Sequence, residues 1–216
     1  MRLRVVEDGL HVTMPPGLPE RHVLPFILQN GDWIGRQFAR LERRRHETYP
    51  MDGGRPLLLF KGEVLPLVIG PHLKRVSLDE NGIVLRAGLK APEAALEDWL
   101  KEECRRALIP AIAAAEERLG RRHSRLTLRD QKTRWGSCSS TGALSFNWRL
   151  VLAPQAVLDY VACHEVAHLE VRNHSAAFWR VVATLCPGAD AARAWLKADQ
   201  HRLMVDLARL VEAAGN

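Results

Sequence analysis

The sequence lacks any apolar run long enough to cross a bilayer. Its longest, PLLLF at 56–60 and VLPLVIG at 64–70, fall far short of the ~20 residues a membrane helix needs. Cysteine is scarce, with four in 216 residues. Cys104, Cys138, Cys163 and Cys186 form no C-x-x-C pair and no tight disulfide framework. Free thiols in a reducing cytoplasm are the expectation. The N-terminal MRLRVVEDGLHV has no apolar h-region and no small-residue cleavage site, so it reads as no signal peptide. Internal repeats and low-complexity segments are also missing.

What is present is an ordinary globular composition, 47% hydrophobic and 26% charged. The chain is long enough to bury a sizeable core. Lysine and arginine number 31 against 25 acidic residues, for a net charge of +6. Basic residues gather at Arg43–Arg45, at Arg105–Arg106 and from Arg118 to Arg134. Such a surface attracts anions, but no nucleic-acid-binding motif accompanies it, and solvated helix faces explain it as simply.

The first 90 residues read as short strands around one helix. RLRVV and LHVTM flank Glu7-Asp8-Gly9, a hairpin signal. A helical pattern follows over 19–46, with a break expected at Asn30-Gly31. Two further hairpins are expected around Lys61-Gly62 and Asn81-Gly82, in an antiparallel sheet with one packed face. From Ala91 the period changes to a long helix, or two joined near Pro110, ending at Gly120. Three strand-like pieces follow, SRLTLRD, TRWGSCSS and GALSFNWRL, with a turn at Ser140-Thr141-Gly142. Pro154 then opens a helix, Ser175 caps the next, and two helical segments close the chain. The fold class is therefore α+β. The division is a strand-rich region with one long helix at 1–90 and a catalytic domain at 91–216, or one integrated domain.

Three of the nine histidines fall in CHEVAHLEVRNH, residues 163–174. HEVAH matches H-E-x-x-H. Residues i and i+4 of a helix lie about 40° apart and about 6 Å along its axis, so His164 and His168 can converge on one cation. Glu165 projects about 100° away, toward the open side of such an ion. A Zn²⁺ with three protein ligands keeps a position for water and lowers its pKa toward ~7. Glu165 is then the general base. His174 would lie about 240° round and about 9 Å along a continuous helix, out of reach. The helix must therefore stop after His168. Astacin and matrixin zinc proteases place glycine at that turn, where this chain has Val171. Asn173 is the residue expected to take the left-handed conformation instead. Asp190 is the fallback third ligand. Cys163 is a poor fourth ligand, because it points away from the histidine pair.

Around this stretch, TRWGSCSSTGALSFNWRLVLAP, DYVACHEVAHL and NHSAAFW together resemble the YgjP-like family of metal-dependent hydrolases, related to SprT-like and WLM zinc proteases. The resemblance covers most of the chain, including Pro15, Pro16, Gly17, Trp33 and Ile34. It implies a zincin-like metallopeptidase domain in which His164, His168 and His174 hold one zinc ion per chain and Glu165 is the base. By the same analogy, Arg134 to Ser139 and the partner strand to Asn147 line the substrate groove, making Arg134 and Asn147 candidate substrate-binding residues. Trp135, Trp148, Phe178, Trp179 and Trp195 read as core, and Gly136 as a point of close approach. Tyr160, Arg149 and His201 are left as oxyanion donors.

The expected activity is peptide-bond hydrolysis in a cytoplasmic enzyme acting on a peptide or protein, with no membrane partner. Hydrolysis of a nucleotide phosphoanhydride at the same metal is one rival. A basic adaptor binding DNA or nucleoprotein around a structural zinc is another. The residues set no oligomeric state.

Overall fold

A computed structural model describes residues 1–6, 8–48 and 50–215, with the side chain of Glu47 excepted. Glu7 of the expected first turn lies outside the described residues. The chain forms two compact units, Met1–Thr48 and Tyr49–Asn216. No helix among the described residues is long and apolar enough to cross a membrane.

The first unit holds an antiparallel pair, β1 (Arg2–Val6) and β2 (Gly9–Thr13), and two helices, α1 (Val23–Gln29) and α2 (Gly31–Thr48). The helical run breaks at Asn30, as expected. Its side-chain amide donates to Phe26 O at 2.8 Å and so occupies a carbonyl at the end of α1.

The second unit opens with β3 (Met51–Asp52), β4 (Arg55–Phe60), β5 (Glu63–Gly70), β6 (Val76–Asp79) and β7 (Gly82–Arg86). These form one sheet in the order β3-β4-β5-β7-β6. The hairpins fall at the two expected turns. Lys61 and Gly62 both have positive φ, 51° and 85°, the conformation a two-residue hairpin turn needs. One pairing departs from the expected antiparallel sheet: β7 lies beside β5 in parallel. The β6–β7 hairpin places its second strand inward and leaves β6 at the edge. β7 is accordingly buried at four of its five residues instead of alternating.

Pro92–Leu119 is a single helix, α3, ending at Gly120 with φ 72°. Leu96, Leu100, Cys104, Leu108 and Ile112 recur every four residues and are buried. Pro110 lies inside the helix without ending it, and it and Arg106, whose carbonyl loses its donor, are both exposed.

A second sheet of β8 (Arg125–Arg129), β9 (Gly136–Cys138) and β10 (Ala143–Asn147) has the order β8-β10-β9. Its Ser140-Thr141-Gly142 turn forms, with Gly142 N donating to Ser139 O at 3.0 Å. The expected strand ends early, because Trp148–Leu152 winds into a 3-10 turn. That turn is buried, with Trp148 at 0% exposure. Four helices complete the unit: α4 (Gln155–Ala167), α5 (Ala176–Leu185), α6 (Ala189–Asp199) and α7 (Leu207–Gly215). α4 carries the histidine motif and is packed by α3, α5, α6 and β9. Nine of its 13 residues are buried, which leaves its motif little freedom to move.

Candidate metal centre

α4 stops where the third histidine requires it to. Ala167 is its last residue and His168 its cap. The chain then tightens, with Leu169 N donating to Val166 O and Glu170 N to Ala167 O, the i to i+3 pattern of a 3-10 turn. Asn173 does not take the expected left-handed conformation. Among the described residues Lys61 is the only non-glycine with positive φ. The reversal is held by side chains instead. Arg172 donates through both terminal nitrogens to Ser139 O and Ser140 O of the β9–β10 turn, and Arg121 pairs with Glu170 at 3.4 Å. Ser175 occupies the N-cap position of α5, but its side chain makes no capping bond.

The reversal brings His174 back to the helix. His164, His168 and His174 each present a ring nitrogen within 4.8 Å of the others. The Nε2 atoms of His164 and His174 are 3.1 Å apart. His164 and His168 are half-buried and His174 is exposed. His168 Nδ1 lies 2.9 Å from Val171 O. Donation to that carbonyl fixes the proton on Nδ1 and leaves the Nε2 lone pair free. Burial, then the neighbouring histidines, push His164 down to about 4 and His168 in the same direction. Neutral imidazoles with free lone pairs are the form that binds a metal. The donor set therefore fits a divalent cation.

Phe178 makes the floor. It is fully buried, stacks on His168 at 4.4 Å between centroids and meets His164 and His174 edge-on at 4.9 and 4.8 Å. The sequence reading assigned it to the core alone. The signal was its place four residues after His174, one turn into α5. Trp179 flanks the cluster, with Arg193 over its outer ring at 4.5 Å.

Glu165 is 5% exposed. Burial pushes its carboxyl up to about 7, against the lowering field of Arg134. Gly136 on β9 makes room for it: a β-carbon there would stand 2.6 Å from Glu165 Cγ and Oε1. Gly136 is thus the point of close approach the sequence suggested.

The remaining candidates separate. Arg134 is exposed two residues before β9 and acts on Glu165 through its charge. Asn147 is not brought to the groove. It is 1% exposed, its amide donates to Gln131 O at 2.6 Å, and its oxygen accepts from Arg149 N at 2.9 Å, capping the 3-10 turn. Arg149 is committed to Asp130, Leu203 O and Val205 O. Asp190 is exposed and paired with Arg193, outside the histidine group. Cys163 is buried with its thiol directed at Leu185 O. Tyr160 OH is 3.5 Å from His164 Nδ1. Trp135 is half-buried and donates to Gln200 Oε1 at 3.3 Å, so only Trp148 of that pair is wholly core.

An α+β domain in which the two histidines of an H-E-x-x-H segment converge with a third from the turn beyond the helix defines a metallopeptidase-type architecture. Residues 1–199 match the family model of the YgjP-like metallopeptidase domain, and the chain belongs to the YgjP-like family. The crystal structure of the metallopeptidase zymogen of Pyrococcus abyssi abylysin is similar at 24% sequence identity and a TM-score of 0.38, covering 42% of this chain and 94% of that one. No curated protein matches.

Proposed function

We propose that this chain is a zinc-dependent peptidase whose metal is held by His164, His168 and His174 and whose general base is Glu165. The observation that carries the reading is the convergence of three imidazole nitrogens within 4.8 Å, with the residue next to His164, Glu165, a buried carboxyl. A zinc ion held there supplies a Lewis acid that acidifies a water and polarises a substrate carbonyl. Glu165 takes the proton from the attacking water and delivers it to the leaving amine. A carboxyl pushed up to about 7 can perform both transfers near neutral pH. Gly136 keeps that carboxyl against β9. Arg134 sets its charge balance and stands where a substrate carboxylate or developing oxyanion could be met. The substrate is a peptide or protein. Four free cysteines suit a reducing compartment, and we place the activity in the cytoplasm.

The test is elemental analysis of the native chain and of His174→Ala, with peptide turnover by Glu165→Gln measured in parallel. About one zinc per native chain, largely lost in His174→Ala, is expected, and Glu165→Gln should keep zinc while losing about 10²- to 10⁴-fold in turnover. A native chain that takes up no zinc, or a fully active Glu165→Gln, would overturn the reading.

A further inference from the structure

The second sheet has two faces of opposite character. Gly136, Phe146 and Leu128 share one register row, and that face turns to α4 and the core. On the other face Thr127, Ser145 and Ser137 stand side by side across the three strands. Arg125 and Arg129, two residues either way along β8, bracket this row of hydroxyls. Together they border an open groove of about 400 Å³, with Arg134 at its end.

Two features mark the groove as more than solvated surface. Among the described residues no carboxylate lines it. The nearby Asp130 is engaged by Arg149 at 2.8 and 3.1 Å. The side chains of Arg125 and Arg129 make no hydrogen bond or ion pair among the described residues, whereas those of Arg118, Arg121, Arg122 and Arg149 around them are each engaged. Within the row itself Ser145 Oγ is buried and Thr127 Oγ1 donates to Leu144 O at 3.3 Å, so the arginines are what the groove offers a ligand.

We propose that this sheet face is a docking site for an acidic, extended polypeptide segment, distinct from the metal centre on the other side of the sheet. The arginines are four residues apart on one strand, about 13 Å. Side chains of an extended peptide repeat on one face every ~6.7 Å. Same-face carboxylates two repeats apart on an extended peptide therefore match Arg125 and Arg129. Guanidinium forks bind carboxylates in bidentate pairs. Among the described residues no aromatic side chain lines the groove, so they offer no platform on which a nucleic-acid base would stack. This site stands whether or not the metal centre hydrolyses peptides.

The experiment is fluorescence anisotropy of a labelled peptide of alternating glutamate and threonine with the full chain at low salt, the peptide checked intact by mass spectrometry. The comparison set is the same peptide with glutamine for glutamate and a labelled oligothymidylate of equal charge. Binding of the glutamate peptide alone, weakened about tenfold by Arg125→Ser with Arg129→Ser, is expected. The charge-matched pair Arg105→Ser with Arg106→Ser should leave it unchanged. Both pairs replace exposed residues, and unchanged melting temperatures will show that folding is intact. Equal weakening by the two pairs would mean diffuse attraction and overturn the site. Absence of peptide binding, or tighter binding of the oligonucleotide through Arg125 and Arg129, would overturn it as well.

Discussion

Glu165 rests against Gly136 so closely that a single added methyl on the glycine would stand 2.6 Å from its carboxylate. The backbone of Gly136 is not left-handed, so alanine is sterically acceptable to the strand and acts only on the neighbour. Gly136→Ala should therefore move the carboxylate and little else. We expect peptide turnover to fall about a hundredfold with zinc content and melting temperature near native. Native turnover in this variant would mean that the position of Glu165 does not govern the reaction.

In the metal-free protein the pH dependence of stability should show opposing slopes. Burial raises Glu165 from its ordinary 4.5 to about 7. Across that window the folded chain holds more protons than the unfolded one, so this group's contribution falls as pH rises. Burial lowers His164 from 6.5 to about 4, and His168 shifts likewise. These favour folding fully above 6.5 and lose that contribution as pH falls toward 4. Between about pH 4.5 and 6.5 the terms counteract. Glu165→Gln removes one of them, so its melting temperature should climb with pH more steeply than the wild type's. Identical slopes by calorimetry would remove burial of Glu165 as a determinant of stability.

Phe178 touches all three imidazoles from below. Phe178→Leu keeps an apolar side chain in the core and should cost about 1 kcal/mol of stability. Its larger effect should be on metal affinity, weakened about tenfold in a chelator competition. A stability loss with native affinity would reduce Phe178 to ordinary packing.

Arg172 ties the 168–174 reversal to the β9–β10 turn. Its removal in Arg172→Ala should weaken zinc affinity about tenfold and speed amide exchange in residues 169–174, with α4 protected as before. Lysine cannot span both carbonyls with a fixed fork, so Arg172→Lys should restore little. Native exchange rates in Arg172→Ala would show that the turn holds itself.

Much of this arrangement was legible in the residues, for local reasons. Asn30-Gly31, Lys61-Gly62 and Gly120 act through their own backbone preferences, and each marks a boundary where expected. The i, i+4 histidines and the need for a break after His168 follow from helix geometry alone. What escaped depended on distant partners. The β5–β7 pairing is set by a crossover that no hairpin signal encodes. Asn147 looked available until Gln131 O and Arg149 N claimed both ends of its amide. Val171 argued for a left-handed neighbour, because the anchoring of Arg172 some 30 residues away was invisible.

The three ligands are unequally prepared. His164 and His168 sit at a separation fixed by one packed helix before any ion arrives. His174 comes from beyond a five-residue arm and is exposed. Ordering that arm is the main conformational entropy still to be lost on binding, and Arg172 removes part of it in advance. Affinity can thus be tuned by the stiffness of residues 169–173 with every imidazole unchanged. The arm, more than the ligands, is the dial that sets how readily this chain keeps or releases its ion.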